Sequence, residues 1–142
     1  VWEEDGRMPN VIVELVSETT EHVDRGEKMR LYARVLRVPD YFLFDPATRQ
    51  LDGYRLDLER GEYVRIEPDP RGDLPIGQMG LSLGLRSQGI HELEGPFLRW
   101  TRPDGEPVPT PSERADRERQ RADAASRELD RLRARLAELE PG

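Results

Sequence analysis

Residues 10–17 run Asn-Val-Ile-Val-Glu-Leu-Val-Ser and residues 41–44 run Tyr-Phe-Leu-Phe, with a helix-patterned segment between them. The first is a short, β-branched apolar run of the kind found in strands buried on both faces. From about Asp24 to Leu36 the apolar residues Met29, Leu31, Tyr32, Val35 and Leu36 recur at amphipathic-helix spacing. Pro39 forbids continuation of that helix. Residues 41–44 make a second buried strand, closed by the turn signal Asp45-Pro46. Strand, helix, strand in this order is a βαβ-like unit, which predicts that the two strands are neighbours in one sheet.

Downstream the texture changes. Leu51 to Leu58 and Glu62 to Glu67 alternate around Glu59-Arg60-Gly61, which predicts a hairpin. Further short strands are expected near Leu81–Leu85 and Phe97–Trp100, with Pro- and Gly-rich loops at 69–73 and 102–111. The last segment begins Thr110-Pro111-Ser112-Glu113, a helix start with Thr as N-cap, Pro at the first helical position and Glu three residues after the cap. Ala122, Ala125, Leu129, Leu132, Leu136 and Leu139 then step by three and four, the seam of a coiled coil. A seam of leucines facing water forgoes roughly 1.5–3 kcal/mol per side chain, so it should be covered, either by a partner helix or by folding back on its own domain.

Composition narrows the function classes. Residues 111–140 carry eight basic and eight acidic groups, so the net charge of −7 falls on the rest of the chain. That counts against tight non-specific DNA binding, which calls for a basic excess. The absence of cysteine excludes disulfides and thiolate zinc sites. No apolar run approaches the roughly 18 residues of a membrane span. Val1-Trp2-Glu3-Glu4-Asp5 is acidic where a signal peptide is basic. The expectation is an N-terminally truncated piece of a soluble cytoplasmic protein.

Two side chains sit oddly for a core. Glu14 shares a strand face with Ile12 and Val16, where a carboxylate is costly unless paired, hydrogen-bonded or bound to metal. The plain alternative is an edge strand whose Glu14 face meets solvent. Lys28 falls on the same helical face as Asp24, Leu31, Tyr32 and Val35, directed toward the sheet. Its plain alternative is a snorkelling lysine with a packed stem. Together they suggest more: a carboxylate that holds a divalent ion, beside a lysine that orients water or neutralises developing charge, is the equipment of metal-assisted phosphodiester hydrolysis. His22 and His91 stand apart and read as surface residues, Ser17 and Thr20 as helix caps, and no phosphate-cradling glycine loop is present.

The blocks Pro9–Ser17, Thr20, Asp24–Lys28 with Leu31–Arg34, and Val38–Pro46 resemble the central part of the Uma-two (Uma2) family, restriction endonucleases of the PD-(D/E)XK superfamily. The likeness continues through Gly53–Leu56 and, more loosely, through Leu81–Leu85, Trp100 and the heptad tail. The resemblance implies an α/β (α+β) restriction-endonuclease-like fold, a mixed sheet flanked by helices, over residues 1–101. A linker at 102–110 and a coiled-coil helix at 111–140 follow. It also implies a Mg²⁺-dependent nuclease site acting on DNA. In the family pattern an aspartate from an upstream strand and the glutamate matching Glu14 bind the metal. The lysine expected two residues after the glutamate is replaced by Val16, and its role passes to Lys28. Asn10 stands where many relatives carry Asp after the Pro, which makes it a weak metal ligand here. The strand with the upstream aspartate is expected before Val1, so this piece by itself is expected to be inactive. Three functions follow as expectations: a DNA endonuclease, a non-catalytic nuclease-like module that assembles through its coiled coil as a homo-oligomer or with a partner helix, and an accessory protein of a toxin–antitoxin or mobile-element system.

Overall fold

Asp40–Asp45 (DYFLFD) is the strand on which everything else is built, with its first five residues all buried. The computed structural model describes residues 8–17, 24–87 and 95–139. Within it the chain divides into two units, Val1–Pro107 and Val108–Gly142. In the first, β1 (Val11–Leu15), β2 (Asp40–Asp45), β3 (Gln50–Asp57) and β4 (Glu62–Arg65) form one sheet in that order. β1 and β2 are parallel, with Ile12 opposite Tyr41 and Glu14 opposite Leu43. The β2–β3 and β3–β4 pairs are antiparallel, so the sheet is mixed. β5 (Leu74–Ile76), β6 (Leu81–Arg86) and β7 (Phe97–Thr101) form a second, antiparallel sheet. The strand–helix–strand order, the hairpin and the two later strands follow the sequence pattern. β5 does not, because three residues with Pro75 at their centre give no periodic signal.

Alternation along β2 divides the core. Phe42 faces the second sheet and packs with Ile66, Leu74, Ile76 and Leu83. Tyr41 and Leu43 face the opposite way, with Val16, Ile12, Met29 and Tyr32. The four-stranded sheet is therefore covered by the second sheet on one face and by the crossover helix on the other. Close approach in the first layer depends on Gly53, where a Cβ would lie 2.8 Å from the Phe42 ring.

Two local expectations need correcting. Among the described residues β1 is not buried on both faces: it lies at the end of the sheet order, Val11 to Glu14 are only partly buried and Leu15 is 66% exposed. The doubly covered strand is β2. The helix also differs from a regular one over 24–36. Asp24–Lys28 is a π-helical turn, and α1 proper is Met29–Arg34. A π turn takes up an extra residue, which shifts the phase of the helix that follows. Ala33 is thereby buried, with Met29 and Tyr32 packed on the core, while Leu31 and Val35 point to solvent. Arg37 then adopts a left-handed conformation (φ 51°) that reverses the chain into Val38 and β2.

In the second unit, α2 spans Pro111–Leu139. Its start is a capping box: the Thr110 N–H donates to Glu113 Oε2 at 2.7 Å, and the Glu113 N–H donates to Thr110 Oγ1 at 3.2 Å. The helix has no buried residue. No helix among the described residues is long and apolar enough to cross a membrane.

Candidate active site

β1 lifts Glu14 on the helix-facing side of the sheet, and the π turn ends on Lys28 above it. The Lys28 ammonium donates to Glu14 Oε2 at 3.4 Å. One turn later, Tyr32 donates its hydroxyl to Glu14 Oε1 at 2.9 Å. Each carboxylate oxygen thus has its own donor. The group is half-buried, with Glu14 23% and Lys28 38% exposed at the side chain. Tyr32 is fixed from behind by Tyr41, whose ring meets it edge-on at 5.2 Å, and Tyr41 stacks on Tyr63 at 5.6 Å. The Tyr63 hydroxyl donates to the Val38 carbonyl at 2.8 Å. Burial first, then the charges of Asp40 and Tyr32, raise its phenol above the ordinary range, so it stays a donor at neutral pH.

The structure brings together two of the three residues singled out in the sequence, Glu14 and Lys28. Asn10 precedes β1 on the exposed side and contributes through its main chain, its carbonyl accepting the Asp40 N–H at 3.2 Å. Tyr32 is the member sequence reasoning passed over. The signal was available in its i, i+4 spacing from Lys28, which places both on one helical face. His22, His91 and Thr20 lie outside the described residues.

A hard divalent ion takes oxygen donors, and Mg²⁺ is commonly held by one or two carboxylates, with water and substrate phosphate completing the shell. Glu14 is a donor of the right kind. Among the described residues, however, no three His, Cys, Asp or Glu side chains come together as a metal-binding group. The fit is therefore partial: one good ligand, held in place by a lysine and a tyrosine.

A second set of acidic residues is structural. Asp40 accepts from Arg55 Nε at 2.8 Å and from the Gly77 N–H at 3.0 Å, while Arg55 reaches the Pro75 carbonyl at 2.7 Å. That network ties the four-stranded sheet to β5. Asp73 is clasped by both Nη atoms of Arg86 and by the Thr101 hydroxyl.

The sequence pattern of the Uma2 family, described as "Putative restriction endonuclease", matches residues 1–90, more than half of the chain. The chain belongs to the Uma2 family. Its fold is accordingly that of the PD-(D/E)XK nuclease superfamily, and the mixed sheet flanked by a helix and a second sheet is consistent with it. Among curated proteins the Uma2 chain is similar to the uncharacterized protein slr1290 of Synechocystis sp., with 31% identity over 77 residues. That match takes in 54% of this chain and 40% of the relative, so the chain spans well under half the length of the curated protein it matches. No solved structure matches it.

Proposed function

We propose that this Uma2 module serves DNA phosphodiester hydrolysis, with Glu14, Lys28 and Tyr32 as part of a Mg²⁺-dependent nuclease site. The observation that carries the reading is the meeting of Glu14 and Lys28 at 3.4 Å, in a chain whose family is nuclease-like. Glu14 would be a metal ligand and Asn10 a weaker one, with the remaining carboxylate coming from outside the described residues. Bound there, the ion would polarise the phosphate and acidify a water. Lys28 would then be freed from Glu14 to donate to the attacking water or to the phosphate oxygen that gains charge. Tyr32 would keep Glu14 aimed by holding its other oxygen.

The test is nicking of supercoiled DNA by the intact protein, of which this chain is expected to be a piece, with Mg²⁺ against EDTA. Glu14→Gln and Lys28→Ala should each abolish Mg²⁺-dependent nicking and leave the circular dichroism spectrum unchanged. Variants that cut as well as the parent would remove both residues from the site.

A second reading is favoured by specific observations. The acidic charge of the globular part, an amide at Asn10 and the lack of a three-ligand group among the described residues all suit a non-catalytic nuclease-like module. In that reading the protein assembles through residues 111–140, with a second copy or another helix. A parent that neither nicks DNA nor takes up Mn²⁺ by calorimetry, yet forms a dimer that is lost on deletion after Thr110, would favour this reading over the nuclease.

A further inference from the structure

We infer that α2 pairs with a second copy of this chain as a parallel, in-register two-stranded coiled coil. The inference rests on the proposal that residues 111–140 pair at all, and adds the occupant, the direction and the register. Leu129, Leu132, Leu136 and Leu139 lie along the helix at 54%, 49%, 60% and 70% exposure. With Ala122 and Ala125 they complete one seam, Ala122, Leu129 and Leu136 in the first core position and Ala125, Leu132 and Leu139 in the second.

Charge beside the seam decides the direction. The flanking residues are Glu128 and Arg135 on one side and Arg133 on the other. In a parallel pair each leucine meets its own copy. Residue 128 then faces residue 133 of the other helix, because pairing runs five residues forward. That contact is Glu–Arg, and it occurs twice.

Antiparallel pairing must give up one advantage or the other. The register that sets leucine on leucine (129 opposite 139, 132 opposite 136) places Arg135 against Arg135 and Arg133 against Arg133. Slipping one heptad relieves the repulsion by pairing Glu128 with Arg135. It then seats Leu136 on Ala125 and Leu139 on Ala122, which loses apolar contact at four layers. Only the parallel register keeps both. Within the single helix, Glu128 and Arg133 make only long i, i+3 contacts of 3.7 Å with Arg131 and Asp130, and these are exposed enough to be exchanged for contacts across the seam.

The chain has no cysteine, so a single introduced thiol reports the register directly. In the full 142-residue chain, Ala125→Cys lies in the seam and Ala124→Cys on the outer face. In a glutathione redox buffer the fraction of disulfide-linked dimer should be at least roughly tenfold higher for Ala125→Cys, whose Cβ atoms would be within disulfide reach. Equal linkage at both positions overturns the inference. So does linkage that requires mixing Ala125→Cys with Leu136→Cys chains, which reports the slipped antiparallel pair. Charge exchange gives an independent reading by sedimentation. Glu128→Arg should weaken the dimer roughly tenfold, and adding Arg133→Glu should restore it. Restoration by Arg135→Glu instead overturns the parallel direction. A parent chain that sediments as a monomer overturns the pairing itself, and leaves the seam to the globular unit or to a different protein. A dimer without linkage at 125 overturns the parallel, in-register pairing.

Discussion

Asp73 and Glu14 are both carboxylates that meet a cation within the globular unit, and the two are held in opposite ways. Asp73 is 1% exposed and takes two bonds from Arg86, at 2.7 and 2.5 Å, plus one from Thr101 at 3.0 Å. Hydrogen bonding to Arg86 holds its carboxyl below the ordinary range, and the same contact raises the guanidinium. Glu14 has one longer contact to a lysine and one to a phenol, on the last strand of the sheet among the described residues. A saturated, buried, bidentate pair can only be structural, since any ligand would have to displace a rigid fork. A looser pair at an edge keeps lone pairs and a path to solvent. The difference teaches where chemistry has room to act. It also shows why buried acid alone would have pointed to the wrong residue.

The comparison breaks most sharply under truncation. Asp73→Ala leaves the Arg86 side chain, 24% exposed, without its carboxylate, and should cost about 3 kcal/mol in urea unfolding. Glu14→Gln keeps the Tyr32 hydrogen bond and should cost less than about 1 kcal/mol. Equal losses would show that Glu14 is as structural as Asp73. Next in size is Gly84→Ala. A Cβ there would overlap the Asp73 carboxylate and come within 2.8 Å of Arg86 Nη1, so about 2 kcal/mol should be lost by the same measurement. An unchanged midpoint would mean that the pair can shift without penalty.

Acid sharpens the contrast further. Because the folded-state pKa of Asp73 lies below its unfolded value of 3.8, its contribution is present above that value and fades as pH falls below it. Asp45 and Asp69 are lowered too, by hydrogen bonds to Thr48 and to the Asp73 main chain respectively, and add in the same direction. Stability should therefore fall as the pH drops below about 4. Asp73→Asn should remove part of that slope, and Glu14→Gln should leave the Asp73 part intact.

How much of this was legible depended on how local the cause was. The strand–helix–strand unit, the hairpin and the capped tail helix are written in periodicity and in single punctuating residues such as Pro39, Gly61 and Pro111. Glu14 and Lys28 were legible because each violates the pattern around it. The π turn at 24–28 was not, since nothing in Asp-Arg-Gly-Glu-Lys distinguishes it from an ordinary first helical turn. Its effect was to turn Leu31 and Val35 outward. The buried partners of Asp40 and Asp73 were equally hidden. Those contacts join residues 15 and 13 positions apart across strands whose pairing no single segment encodes. β1 read as fully buried because an apolar run carries no mark of its place in the strand order.

The smallest effect to measure is the coupling between Glu14 and Lys28 themselves. With the Lys28 side chain 38% exposed and the contact at 3.4 Å, a double-mutant cycle of Glu14→Gln and Lys28→Met should return only about 0.5 kcal/mol in stability. A pair held for structure alone should lose little else when it is cut. If the same two substitutions that barely move the urea midpoint abolish Mg²⁺-dependent nicking, energy and activity separate at this site, as they should where a lysine must leave its carboxylate to work. A coupling of several kcal/mol would instead make the edge pair a second Asp73, too tightly closed to admit a metal ion.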